Sequence, residues 1–258
     1  MIHKIRDNHG DWISDKDKIV DALVHYYKDL FTLADMLPRD SATNTIPKVI
    51  NAEMNSKLST AFSEWEVKKA IKQMAPLKAP GPDGMSPLFL QHYWDLIGDD
   101  VSHSFLHFLN TASFPENLNH TFITLIPKKK NPEFASDFRP ISLCNVFYKI
   151  FSEVQENRLK RILPNIISEH QSTFNKSRLI YDNILVAFES LHSMQKHKGK
   201  EDFMAIKLDM SKAYNRVEWH YLESIMVKMG SQIIGSNCSC YVSKLFLTRS
   251  LLMANQKA

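Results

Sequence analysis

Glycine and cysteine are scarce, at seven and three in 258 residues. Cys238 and Cys240 stand too close together for an ordinary disulfide and Cys144 is isolated, which argues against a disulfide scaffold and for a reduced, intracellular setting, nucleus or cytoplasm. No apolar run approaches the roughly 18–20 residues needed to span a bilayer. The opening MIHKIRDNHGDW also lacks the apolar core of a secretory signal. A soluble chain without a membrane partner is expected. No internal repeat is visible.

What is present suffices for a folded core: 44% hydrophobic residues allow one or two domains. The net charge of +4 gains content only from its distribution. KKK (128–130), RLKR (158–161), KSR (176–178) and KHKGK (196–200) all lie in the middle of the chain, while the first hundred residues carry most acidic pairs. The pattern suits a basic channel for nucleic acid. A solvated helix face has the same composition.

Residues 15–33 read as an amphipathic helix with Ile19, Leu23, Tyr26, Tyr27 and Leu30 on one face. Residues 38–47 read as a linker. Ser63 and Glu66 form a capping box, and Val67, Ala70, Ile71 and Met74 the buried stripe behind it. That helix must stop before APLKAPGPDG (75–84), whose three prolines and two glycines cannot continue it. Helices fit 86–97, 99–110, 145–163, 182–196 and 217–229. Strands fit FITLIP (122–127), ISLC (141–144) and FMAIKLD (203–209). Helices first, then strands interleaved with helices, imply a predominantly helical α+β fold.

Four stretches carry candidate chemistry. KAPGPDG (78–84) is a stiff loop able to bring backbone close to something, though a plain turn between helices fits it as well. In LIPKKKNPEFASDFRPISL (125–143) a hairpin would let Lys128, Lys129, Lys130 and Arg139 converge on phosphate, Arg as a fork and Lys as a mobile charge. An exposed basic turn reads the same way. In IKLDMSKAYN (206–215) an apolar strand delivers Asp209 to its end, a construction suited to magnesium, which takes hard oxygen ligands from one or two carboxylates and substrate phosphates. Asp209 capping the helix from Met210 is the alternative. His103 and His107 have i,i+4 spacing but no Glu after His103, so surface histidines are expected rather than zinc ligands.

The motifs KAPGPDGMSPLFLQ, LIPKKKNPEFASDFRPISLCNVFYKIFSEVQENRLKRILP, SEHQSTF, RLIYDNILVAFE and FMAIKLDMSKAYNRVEW occur in this order. Together they resemble the reverse transcriptase of LINE-type (non-LTR) retrotransposons, most like the plant versions, over residues 10–230 and most strongly after 60. The resemblance implies a right-handed polymerase: a helical connector over 1–60, fingers and first part of the palm over 61–230, and a degenerate tail over 231–258. It further implies that Lys128–Lys130 and Arg139 face the incoming deoxynucleoside triphosphate and that Tyr214 gates the sugar. Asp209 and the Met210 backbone carbonyl would hold Mg2+, and Arg178 would lie on the template side. RNA template and DNA primer are the implied partners, with no small-molecule cofactor.

Three departures stand out. Asn215 occupies a position where the family has Asp, Ser177 one where it has Gly, and the pattern fades after Gly230. The family's later Asp-Asp pair has no counterpart, since no acid follows Glu223. Asp99 and Asp100 precede Asp209 at a helix start and suit the dipole there. The expectation is a fragment of an RNA-directed DNA polymerase, truncated or degenerate and inactive by itself. A non-catalytic nucleic-acid-binding remnant and a non-functional pseudogene product are the rival readings.

Overall fold

The structure, a computed structural model, describes residues 2–7, 9–32, 43–111, 118, 120–172, 178–197, 199, 202–209, 217 and 219–232. The chain opens with a short hairpin, β1 (Ile5–Arg6) and β2 (Trp12–Ile13), then α1 (Lys16–Phe31) and α2 (Ala52–Ser59). Helices α3 (Glu64–Gln73), α4 (Pro87–His92) and α5 (Trp94–Thr111) follow. The antiparallel pair β3 (Thr121–Pro127) and β4 (Phe138–Cys144) leads into α6 (Val146–Leu159) and the single turn α7 (Leu163–Ile166). Two further helices are α8 (Ile180–Lys196) and α9 (Trp219–Lys228).

The main core lies where α3, α5 and α6 meet. Glu66 accepts the Ser63 backbone N–H at 3.0 Å and its hydroxyl at 3.1 Å, which starts α3 with Val67, Ala70 and Ile71 turned inward. At the other end, where the Met74 N–H already reaches the Ile71 carbonyl at 3.3 Å, Gln91 donates its amide to the carbonyls of Ile71 (2.7 Å) and Met74 (2.8 Å), adding a side-chain donor to the helix end. Helix α6 is buried on several sides, through Tyr148, Ile150, Phe151 and Val154, as expected of a central helix. Phe105 stacks on Phe147 and tilts against Phe151.

Arg158, at the last turn of α6, is 4% exposed and closes this block. Its guanidinium pairs with Glu66 at 2.8 and 2.9 Å and donates to the carbonyls of Leu58, Thr60 and Ala61. It also lies 3.6 Å from the Phe62 ring centroid. Burial pushes the Glu66 carboxyl up, but hydrogen bonds from Arg158 and Ser63 outweigh it and hold the group below its ordinary value. The basic cluster RLKR is therefore not a free cationic patch. Arg158 is consumed by the core and Lys160 pairs with Glu156 at 2.9 Å.

A second, smaller core joins the N-terminus to the central hairpin. Ile5, Ile19 and Phe138 are buried together, with Ile13, Leu23 and Leu125 packed around them. The hairpin β1–β2 was not foreseeable from periodicity, because two-residue strands have none.

The strand expected over 203–209 is absent: residues 202–209 are irregular and exposed. Only two two-stranded sheets occur among the described residues, and neither includes this segment. A strand without a partner ladder leaves its backbone groups to water, so local apolar character alone does not form one. The helices expected over 86–97 and 99–110 divide earlier, at Tyr93, where α4 ends and α5 begins.

Candidate nucleic-acid interface

The β3–β4 ladder runs in register from Thr121↔Cys144 to Pro127↔Phe138, with Ile126 opposite Arg139. This brings Lys128–Lys130, which leave β3, to the same end of the ribbon as Arg139, which enters β4. The turn between them is built around Asp137. Its carboxylate accepts the backbone N–H groups of Phe134 (3.0 Å) and Glu133 (2.9 Å) and pairs with Lys129 at 2.9 Å. The Phe134 N–H, the Lys129 ammonium and the Glu133 N–H together hold that carboxyl down at about 2.

The four cations differ in freedom. Lys128 donates to the Ser136 carbonyl at 2.7 Å, and Lys129 is engaged by Asp137. Lys130 and Arg139 are exposed, and no described side chain or carbonyl pairs with them. They are the groups available to an incoming anion. Arg178, expected on the template side, donates to the carbonyls of Ser168 (2.5 Å), Gln171 (2.8 Å) and Ile167 (3.4 Å), so it ties down the chain after α7.

A two-stranded ribbon is marginal by itself, and much of this one is solvent-facing, with Phe122 53% and Ile123 49% exposed. It is held at both ends. At the Cys144 end the KAPGPDG loop docks against the β4–α6 junction. Asp83 accepts the Val146 N–H at 2.5 Å, its own N–H donates to the Asn145 side chain at 3.1 Å, and the buried Lys149 donates to the Ala79 carbonyl at 2.7 Å. A Cβ placed on Gly81 would lie 2.3 Å from the Cys144 carbonyl carbon. The loop is thus more than a turn: glycine admits a backbone-to-backbone contact there. The other end is gripped by the N-terminal elements.

Asp209 is exposed at the end of the irregular 202–209 segment. Met210, Tyr214, Asn215 and Ser177 lie outside the described residues, so the expectations placed on them do too. Among the described residues no group of three or more His, Cys, Asp or Glu side chains could hold a metal ion. Asp209 is the one expected ligand among the described residues, and one exposed carboxylate does not by itself make a magnesium site. His103 and His107 likewise have no third ligand there.

Sequence comparison gives this arrangement its context. Residues 126–252 match the family described as reverse transcriptase (RNA-dependent DNA polymerase). The match begins inside β3 and takes in Lys128–Lys130, Arg139, Arg178 and Asp209. The chain is 27% identical, over 238 residues, to the transposon TX1 uncharacterized 149 kDa protein of Xenopus laevis, covering 91% of this chain and 18% of that one. It is 28% identical over 165 residues to a probable RNA-directed DNA polymerase from transposon BS of Drosophila melanogaster, covering 60% and 17%. A putative 115 kDa protein in type-1 retrotransposable element R1DM, also from Drosophila melanogaster, is 21% identical over 192 residues, covering 74% and 18%. Residues 126–252 thus carry a reverse transcriptase domain, and the relatives are named as transposon or retrotransposon proteins, consistent with a non-LTR, LINE-type element. It spans less than a fifth of the length of each of these three relatives.

The sequence alone did not point to Arg6, and it placed Tyr27 on the apolar face of α1 and Asp83 in the KAPGPDG loop without giving either a partner. For Asp83 a signal existed, since an acid two residues after the glycine of a rigid loop can reach a nearby helix start. Arg6 carried none.

Proposed function

We propose that the β3–β4 ribbon is the phosphate-contacting part of a reverse transcriptase, with Lys130 and Arg139 meeting the phosphates of a nucleotide or nucleic-acid strand. In this reading Lys128 and Lys129 shape the turn and add positive potential. The supporting observation is the ladder register that brings the end of β3 and the start of β4 together, with two cations there that have no partner among the described residues. The whole protein would be an RNA-directed DNA polymerase using an RNA template, a DNA primer and deoxynucleoside triphosphates. The ribbon and helical block would form its fingers, and Asp209, with the Met210 carbonyl, a palm ligand for the divalent ion such enzymes use. Tyr214 would then gate the sugar and Arg178 would support the template side through the loop it ties.

Affinity for an RNA–DNA duplex across a salt series tests the reading. Each phosphate contact contributes just under one unit to the slope of log affinity against log salt. Replacing both Lys130 and Arg139 by Ala should therefore lower the slope by about two units and weaken binding for all sequences alike. Unchanged slope and affinity would remove the ribbon from the interface.

Asp209 belongs to no group of three or more metal-ligating side chains among the described residues, and no acid follows Glu223 in the sequence, so the 258-residue chain alone is expected not to extend a primer. Primer extension with magnesium or manganese, beside an Asp209→Asn control, decides this. Extension that the Asn variant abolishes would mean that another acid completes the site.

A further inference from the structure

The turn that carries Lys130 and Arg139 is not self-supporting, and what supports it comes from the N-terminal part of the sequence. Arg6 donates its backbone N–H to the Glu133 carbonyl at 2.6 Å, while its side chain pairs with the Glu133 carboxylate at 2.9 Å. The same guanidinium reaches the Gly10 carbonyl at 3.0 Å and lies 4.6 Å from the Trp12 ring centroid. Arg6 thus bonds the β1–β2 hairpin to the loop that precedes Asp137. From α1, the buried Tyr27 hydroxyl stands 3.3 Å from both the Ala135 and the Phe138 carbonyls. Its single proton is shared between two residues that flank Asp137. Tyr27 is in turn fixed by Tyr26 edge-on and by Phe31 stacked against it. Beneath these bonds, Ile5 and Ile19 bury Phe138.

We infer that β1–β2 and α1 are the mounting of the anion-binding turn, with Arg6 and Tyr27 as positioning residues for Lys130 and Arg139. Asp137 organises the turn from inside, and Arg6 and Tyr27 hold the loop on either side of it. The N-terminal segment would then be part of the interface rather than a connector to it. This inference rests on the proposed phosphate-binding role of the ribbon.

Two full-length variants test it. Tyr27→Phe keeps the ring and its packing and removes only the hydroxyl that donates the shared proton. Glu133→Gln breaks the Arg6 ion pair and also removes a negative charge beside the lysines, which on charge alone would tighten binding to phosphate. The expected result is that both weaken RNA–DNA duplex binding, by about twofold to tenfold, the effect of one lost hydrogen bond. The salt slope should fall as a phosphate contact loosens. A merely structural role for Tyr27 would lower the unfolding midpoint and leave the slope alone. Wild-type affinity and slope in Tyr27→Phe, or tighter binding in Glu133→Gln, would overturn the inference. Amide hydrogen exchange over 128–139 supplies an arm independent of binding: it should quicken in Tyr27→Phe, and unchanged exchange would also overturn the mounting. A wild-type chain that fails to bind, with that exchange still quickened, would sink the proposed function and leave the mounting standing.

Discussion

The helical block around α3, α5 and α6 and the later segment 178–209 have similar local sequence character, apolar residues at helical spacing or in a short run. In the block those residues are covered: Val67, Phe105 and Ile150 are fully buried, and even the charged Arg158 finds a complete set of partners. In the later segment they are not. Helix α8 has no buried residue, with Tyr181 72%, Val186 66% and Phe188 66% exposed, and Leu208 beyond it is 90% exposed. Amphipathicity thus proposes a buried face, and only a partner surface realises it. The free energy of burying such side chains, about 1.5–3 kcal/mol each, is gained in the first region and withheld in the second.

The buried block is most vulnerable at Arg158. Arg158→Ala leaves Glu66 half-buried and unpaired, with three carbonyls without their donor, and should cost about 3–5 kcal/mol, read by urea denaturation. Next, one substitution placed in each region should give unequal answers. Phe105→Ala opens a cavity in the core and should cost roughly 3–5 kcal/mol, whereas Phe188→Ala should stay within about 0.5 kcal/mol, as for a surface position. Equal costs would mean that α8 is covered after all. A smaller effect is expected from Asp83→Ala, which removes the acceptor at the start of α6 and should cost about 0.5–2 kcal/mol, like a lost helix cap.

The least change concerns protonation. Asp137 is held at about 2, below the ordinary 3.8, so the folded turn disfavours the proton. Its contribution is fully present above the ordinary value and is lost as pH falls through about 2. A carboxyl chemical-shift titration should show that midpoint, and Lys129→Ala should raise it. A midpoint at the ordinary value would mean that the turn is open in solution.

What the sequence disclosed was local. The Ser63–Glu66 cap, the stripe behind it and the β3–β4 ribbon follow from patterns within a dozen residues, and each forms near its expected place. What stayed hidden was reach. Arg158 reads as one member of a basic run because nothing near it shows that Glu66, 92 residues away, lies beside it. The 203–209 segment reads as a strand because Ile206 and Leu208 suit one, but a ladder needs a second chain segment, which no local pattern supplies. At the candidate site, Lys130 and Arg139 were legible as charges. Which of the four cations the turn itself would occupy depended on Asp137 and Ser136.

At the far end of α9, the amide of Asn55 donates to the Gly230 carbonyl at 2.8 Å and its carbonyl accepts the Gln232 N–H at 2.9 Å. Ile50 also donates its N–H to the Met229 carbonyl at 2.8 Å. Asn55 and Gly230 are separated by 175 positions. On a ribosome adding about 5–20 residues each second, that separation is a wait of roughly 9–35 s. Throughout it, α2 can pack its Leu58 side but cannot satisfy the amide that ends up buried. The clamp is therefore a late event of synthesis. It seals a helical block that has had time to assemble, and it sets the moment at which α2 stops being open to solvent or to a chaperone.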